Sequence, residues 1–105
     1  MSPQKPPTSG EAIEVPPWRP EHGPRPEVLV YPHGREPLLW IYAHGAWCYA
    51  VARGRFRTPQ YTAYQVHIHP PGTLYVFIRT YRWGTDAVRI LRGPKPPVDG
   101  ASQTR

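Results

Sequence analysis

Rings and one guanidinium alternate along a stretch near the end of the chain. Tyr75, Phe77, Arg79, Tyr81 and Trp83 are each two residues apart, a spacing that puts them all on one face of a β-strand. Aromatic rings stack on exposed bases while neighbouring cations hold phosphates, so this pattern predicts a nucleic-acid-binding surface. The alternative is that Tyr75 and Phe77 pack in a second apolar layer, because strands buried on both faces also carry continuous apolar runs.

A second set with the same spacing is Arg53, Arg55 and Arg57. On a regular strand the three cations share a face, with Phe56 opposite. They favour a phosphate site, or equally a solvated strand edge that discourages aggregation. The residues predicted to bind nucleic acid are Arg53, Arg55, Arg57, Arg79, Tyr81, Arg82, Trp83 and Arg89.

The charge of the chain is concentrated in its middle. Residues 28–93 contain eight arginines but only two acids, Glu36 and Asp86, and this excess equals the formal net charge of +6. A basic block between nearly neutral tails favours an anionic partner, either DNA or RNA. The alternative is an adaptor that binds an acidic or proline-rich protein in an aromatic groove, or one that adds an edge strand to another sheet.

Residues that could support catalysis are few. Glu36 and Asp86 both lie in turns, so a general acid/base pair is not expected. Cys48, the only cysteine, is expected to be a small buried residue. His67 and His69 have a spacing found among metal ligands but would need a third ligand, and we expect them to be solvated. The sequence therefore predicts a protein that is not an enzyme and has no cofactor, metal or small-molecule substrate.

Prolines divide the chain. Eight precede Val28 and three follow Gly93, and because proline lacks a backbone donor these stretches cannot join a helix or a central strand. We expect a mostly disordered arm over 1–26, a domain over 27–92 and a disordered tail over 93–105, although apolar residues in 13–18 have the composition to lie across the domain and complete its core. Lacking a membrane-spanning apolar run and a signal peptide, the chain is expected to be cytoplasmic and to have no membrane partner.

The pattern of residues 28–93 predicts short strands separated by turn residues. Strands are expected over 28–31, 38–43, 46–57, 61–69, 74–83 and 88–91, with a tight hairpin at His44-Gly45 and a bulge or bend at Gly54. Alternation predicts a core of Tyr64, Val66, Ile68, Leu74, Val76 and Ile78.

One stretch carries a family resemblance. The sequence Trp47-Cys48-Tyr49-Ala50-Val51-Ala52, followed by Tyr64-Gln65-Val66, resembles SH3-like barrels of the Tudor and Agenet kind. The resemblance implies the fold alone. Acidic residues common near the aromatic cage of Tudor relatives are missing here, which argues against recognition of methylated lysine or arginine. The predicted fold class is all-β: a small SH3-like antiparallel barrel of five or six strands with disordered proline-rich tails.

Overall fold

The structure, a computed structural model, describes residues 6–93. Within that range the only helical segment is a short 3-10 turn at Pro20–His22, and no helix there is long and apolar enough to span a bilayer. The prediction of an all-β fold is confirmed. The strands are β1 (Glu27–Val30), β2 (Leu38–Ala43), β3 (Ala46–Arg57), β4 (Thr62–His69), β5 (Phe77–Arg82) and β6 (Val88–Arg92).

All the strand pairs are antiparallel, and the long strand β3 organises them. β4 lies along one side of β3, while β2 and β1 share the other side, β2 along its first half and β1 along its second. The order of the sheet is β5-β4-β3-β2-β6, with β1 beside β3 off this path. Among the described residues β5 does not pair with β6, so the sheet is open where the sequence predicts a barrel.

Two local features set the register of β3. The hairpin turn has positive φ at His44 (56°) and Gly45 (77°), the geometry of a two-residue turn that matches strand twist. Further along, the register with β4 shifts between Ala52 and Gly54, which leaves Arg53 as the extra residue of a β-bulge. The predicted hairpin and the predicted irregularity at Gly54 are both confirmed.

The core lies on one face of the sheet, here called the core face. Its buried members are Leu39, Ile41, Ala43, Cys48, Ala50, Ala52, Tyr64, Val66, Ile68, Tyr81 and Val88. The predicted core residues of β4 are therefore confirmed, but the assignment of Leu74, Val76 and Ile78 to the core is wrong. Leu74 is 100% exposed and the other two are exposed as well. The reason is register: β5 begins only at Phe77, and Tyr81 rather than Ile78 lies on the side of Tyr64.

The N-terminal arm lies along the free edge of β5. The N–H of Val15 donates to the Thr80 carbonyl (2.8 Å), and the N–H of Arg82 donates to the Ile13 carbonyl (2.9 Å). A third bond, from Ala12 N–H to the Tyr42 carbonyl (2.8 Å), links the arm to β2. Part of the arm for which the sequence predicts disorder thus has specific backbone partners. Residues 1–5 and most of the predicted tail, 94–105, lie outside the described residues.

Candidate functional site

The face of the sheet opposite the core, here called the outer face, carries a cluster of rings from β2 and β3. The Trp40 and Tyr49 rings are stacked, with centroids 4.4 Å apart and planes 20° apart. The Trp47 ring meets Trp40 edge-on at 6.4 Å and Tyr42 edge-on at 5.4 Å. These four residues, Trp40, Tyr42, Trp47 and Tyr49, are called the aromatic face below.

The hairpin dictates this cluster. Because its loop has two residues, Tyr42 lies opposite Trp47 and Trp40 lies opposite Tyr49, and directly opposed residues in an antiparallel pair point to the same side. Ile41 and Cys48, one position over, point to the core face and are buried. The same two strands therefore supply an apolar core below and a ring surface above.

A cation lies on the aromatic face. The Arg89 guanidinium is 4.5 Å from the centroid of a Trp47 ring, and its Nε donates to the Asp86 carbonyl at 3.3 Å. Arg89 lies opposite Trp40 in β6, and Arg92 lies opposite Leu38 at the end of that strand. A stacked guanidinium keeps its outward N–H groups available to an anion while it extends the flat surface of the rings.

Histidines border the other side of the aromatic face. His69 lies opposite Tyr49 and His67 lies opposite Val51 in the register between β3 and β4. Tyr49 itself is 52% exposed, and the other three rings are partly exposed. An exposed ring beside cations and imidazoles can stack on a flat π-system and donate hydrogen bonds to its polar substituents.

The carboxylates nearest to this end of the sheet are held by hydrogen bonds. Asp86 accepts from the hydroxyls and backbone N–H groups of Ser9 and Thr8, which lowers the pKa of Asp86 to about 2. Glu11 accepts from the Gly45 N–H at 2.6 Å. Through these bonds Asp86 connects the arm to the loop before β6, and Glu11 connects it to the hairpin. The carboxylate oxygens that accept the bonds therefore point at the protein.

The predicted arginine triplet does not share a face. Arg53 is the bulge residue, and its guanidinium donates to Glu36 at 2.9 Å. Beyond the bulge, Arg55 and Arg57 lie opposite the buried residues Tyr64 and Thr62, so they lie on the core face, at its end beside β1. The backbone N–H groups of Glu36 itself and of Gly34, together with Arg53, keep the pKa of Glu36 below its ordinary value.

The predicted site residues of β5 are also dispersed. Tyr81 is 2% exposed and belongs to the core, so its expected exposure is wrong; burial raises its pKa to about 12. Trp83 is half-buried and meets Tyr64 edge-on at 6.0 Å. Arg79 pairs with Glu14 of the arm at 3.6 Å, and the Arg82 guanidinium lies 4.6 Å from the Tyr61 ring centroid. Of the eight residues predicted to bind nucleic acid, only Arg89 contacts the aromatic face, where its guanidinium lies over the Trp47 ring.

Sequence reasoning missed Trp40, Tyr42, Trp47 and Tyr49 as a site, although a signal for them existed. A two-residue hairpin loop determines which residues are opposed, so His44-Gly45 implies the pairs Tyr42 with Trp47 and Trp40 with Tyr49. Ile41, one position over, has the opposite parity and is buried.

A cleft lies between the arm and the outer face of the sheet, beside β1 and β5. This cleft has a volume of about 580 Å³ and is lined mainly by apolar side chains. Trp18 and Val15 contribute from the arm, and Val28, Phe56 and Ile78 contribute from the strands. The Arg25 guanidinium lies 4.9 Å from the Trp18 ring centroid at this place, so the cleft is largely a seam where the arm packs on the sheet.

The described residues offer little for metal or covalent chemistry. No group of three or more histidine, cysteine, aspartate or glutamate side chains comes together within 6–93 in a way that could hold a metal ion. Cys48 is buried as predicted, and burial raises the pKa of its thiol, with Ala43 and Ala46 carbonyls as its acceptors. A buried thiol with a raised pKa is a poor nucleophile.

Comparison with known proteins identifies no relative: no family model matches the chain, and neither a curated protein nor a solved structure is significantly similar to it.

Proposed function

We propose that this protein is a non-enzymatic module that binds single-stranded nucleic acid on its aromatic face. The observation that carries the proposal is the stacked pair Trp40 and Tyr49, beside Trp47 with Arg89 on its ring, all on the outer face of one hairpin and its neighbour. Bases present flat π-faces whatever their identity, so a ring surface on a sheet binds single strands with little sequence preference.

The position of the charges predicts how binding depends on salt. Arg89 lies beside the rings and Arg92 lies at the end of the same strand, β6, whereas Arg55, Arg57 and Arg79 lie on the core face. If two phosphates are contacted, the slope of log Kobs against log salt concentration is about −1.4 for a single strand. Stacking then supplies most of the affinity, and the net charge of +6 contributes mainly to the rate of encounter.

The test is fluorescence anisotropy with labelled oligothymidine and oligouridine of increasing length, at two salt concentrations. Trp40→Ala and Tyr49→Ala each remove one stacking ring and are expected to weaken binding by about 5- to 150-fold, since one base stack contributes about 1–3 kcal/mol. Arg89→Ala should reduce the salt slope by about 0.7, the share of one phosphate.

The matched control is Arg82→Ala, which removes a cation from the Tyr61 ring elsewhere on the outer face. It should leave affinity and salt slope unchanged. Thermal melts of every variant separate lost binding from lost folding. The proposal fails if the wild-type protein binds no oligonucleotide at low salt, or if Arg55→Glu and Arg57→Glu abolish binding while Tyr49→Ala has no effect.

A second candidate function is a protein-interaction adaptor, favoured by the arm–sheet cleft and by an exposed apolar loop tip. Leu74, Tyr75 and Val76 are all exposed between β4 and β5. An acidic or proline-rich peptide could dock on such surfaces. Retention of a purified protein partner by nuclease-treated wild-type protein, and its loss in Leu74→Asp, would favour this function. Kinship with SH3-like barrels of the Tudor and Agenet kind and a cytoplasmic location stay predictions, on which neither function depends.

A further inference from the structure

Among residues 6–93 the sheet has three edges, which differ in what protects them from pairing with another strand. The edge of β5 is covered by the arm through the bonds at Thr80 and Arg82. The edge of β6 carries two arginines, Arg89 and Arg92, and charged side chains discourage pairing with another chain. No described segment hydrogen-bonds to the outer edge of β1. Beyond Glu27, its first residue, the strand is uncharged, and Val28, Leu29 and Val30 are all exposed.

The register of β1 shows which backbone groups face away from the sheet. The N–H of Tyr31 donates to the Arg53 carbonyl at 3.1 Å, in line with the pairing of Val30 with Gly54 and Leu29 with Arg55. Hydrogen-bonded residues alternate along an antiparallel strand, so Leu29 points its N–H and C=O at β3 while Val28 and Val30 point theirs outward. Within residues 6–93 these four outward groups have no partner.

The free edge is complementary to itself. If a second copy of β1 lies antiparallel with Leu29 facing Leu29, then Val28 of each copy faces Val30 of the other. Both valines carry outward groups, so each of the two valine pairs exchanges two N–H···O=C bonds, four bonds in total. Shifting the strand by two residues in either direction brings in Pro26 or Pro32, which lack a donor. A pair that contains proline makes one bond instead of two, because its carbonyl accepts but it has no N–H. The register with Leu29 facing Leu29 is therefore the one in which every hydrogen-bonded pair makes both of its bonds.

The side chains of Val28, Leu29 and Val30 are also compatible with this register. Val28 and Val30 are 58% and 71% exposed, and in the pair they meet each other on the outer face, while the two Leu29 side chains meet on the core face. No charged residue lies within Val28–Val30 to select a partner of opposite sign. An apolar edge whose sequence, Val-Leu-Val, is the same in both directions fits a second copy at every position.

We propose that the protein forms a two-fold symmetric dimer in which β1 of each copy pairs edge to edge through Val28 and Val30. The pairing extends each sheet into its partner and keeps both outer faces on the same side, because the two-fold axis is perpendicular to the sheet. It stands independently of what the aromatic face binds. The like net charge of the copies opposes association, so the dimer strengthens as salt rises.

The first test is sedimentation equilibrium of the full chain over a range of concentration and salt. Val28→Lys and Val30→Lys put a charge on the edge and are expected to raise the dimer dissociation constant about tenfold or more. The matched control is Leu74→Lys, which makes the same change at a fully exposed loop residue and should leave the dissociation constant unchanged. Thermal melts check that the variants stay folded.

The second test determines the register in which β1 pairs with β1 of the second copy. Leu29→Cys places two thiols at the non-hydrogen-bonded pair on the two-fold axis, where Cα atoms lie about 4.5 Å apart, within the range that a disulfide spans. Mild oxidation should give a covalent dimer of this variant, and Val76→Cys should give far less. Cys48 is buried and does not compete. A monomeric wild-type protein at high concentration and high salt, or equal cross-linking of both variants, overturns the proposal.

Discussion

The half of β3 before the bulge at Arg53 and the half after it expose different chemistry. In the first half, Trp47 and Tyr49 reach the outer face and Cys48, Ala50 and Ala52 face the core. In the second half, Phe56 reaches the outer face, where the arm covers it, and Arg55 and Arg57 lie on the core face. One extra residue reverses which parity lies on the core face.

The two halves also fill their core differently. The small side chains of the first half leave volume that Leu39, Ile41, Val66 and Ile68 occupy from the neighbouring strands. Beside the second half, Tyr64 takes that role opposite Arg55, and Tyr81 and Trp83 pack next to it. The aromatic face therefore lies above an aliphatic part of the core, and Arg55 and Arg57 lie beside the part that aromatic side chains fill.

The largest expected effect is in the second half. Tyr64→Ala removes the ring that packs against Trp83 and should lower the free energy of unfolding by about 3–5 kcal/mol, because little else can collapse into the space. Denaturation in guanidinium chloride measures it. Tyr64→Phe keeps the ring and should cost less than about 1.5 kcal/mol. Equal losses for both variants would mean that the hydroxyl, not the ring, holds this end together.

The first half of β3 should be destabilised by added side-chain volume in the core. Ala50 is fully buried between Leu39 and Ile68 in the register, so Ala50→Leu overpacks the aliphatic core and should cost about 1–3 kcal/mol. Val51→Phe adds a comparable number of carbons one position over, on the outer face, and should stay within about 0.5 kcal/mol. The two variants measured side by side establish the parity of this half; a reversed order would show that the assigned faces are wrong.

The first half was largely predictable from sequence and the second was not. Strand β2 has the predicted bounds, and His44-Gly45 determines the register that places Trp40 and Tyr49 together. The prediction that Arg53, Arg55 and Arg57 share a face was wrong because a bulge inserts a residue without changing the sequence pattern on either side. Leu74 and Val76 looked like core because alternation does not reveal where a strand begins, and the apolar run continues through the loop.

A smaller effect is expected at the hairpin that positions the aromatic face. Gly45 has φ 77° and His44 has φ 56°, a region that a side chain tolerates poorly. Gly45→Ala should cost about 1 kcal/mol, whereas His44→Asn should add about 0.5 kcal/mol because Asn-Gly is the favoured pair in such turns. Thermal melts measure both. Since neither residue belongs to the aromatic face, oligonucleotide affinity should be unchanged in folded protein, and a change would implicate the turn itself in binding.

The smallest and most local effect concerns Asp86, the acid that ties the arm to the loop before β6. The hydrogen bonds from Ser9 and Thr8 lower the pKa of Asp86 to about 2, below its ordinary value of 3.8. A depressed pKa means that the contact stabilises the folded protein above about pH 4 and is lost as pH falls toward 2. The amide resonances of Thr8 and Ser9 should therefore shift with a midpoint near pH 2.

The comparison variant for this contact is Asp86→Asn, which keeps an acceptor oxygen and removes the titration. Its Thr8 and Ser9 resonances should not shift in the same range, and its melting temperature should depend less on pH between 4 and 2 than that of the wild-type protein. The Val15 amide, bonded to Thr80 at the other end of the arm, should report no change in either protein. Midpoints near pH 3.8 would show that the arm is not held through Asp86, and a matching shift at Val15 would show that the arm is released as one unit.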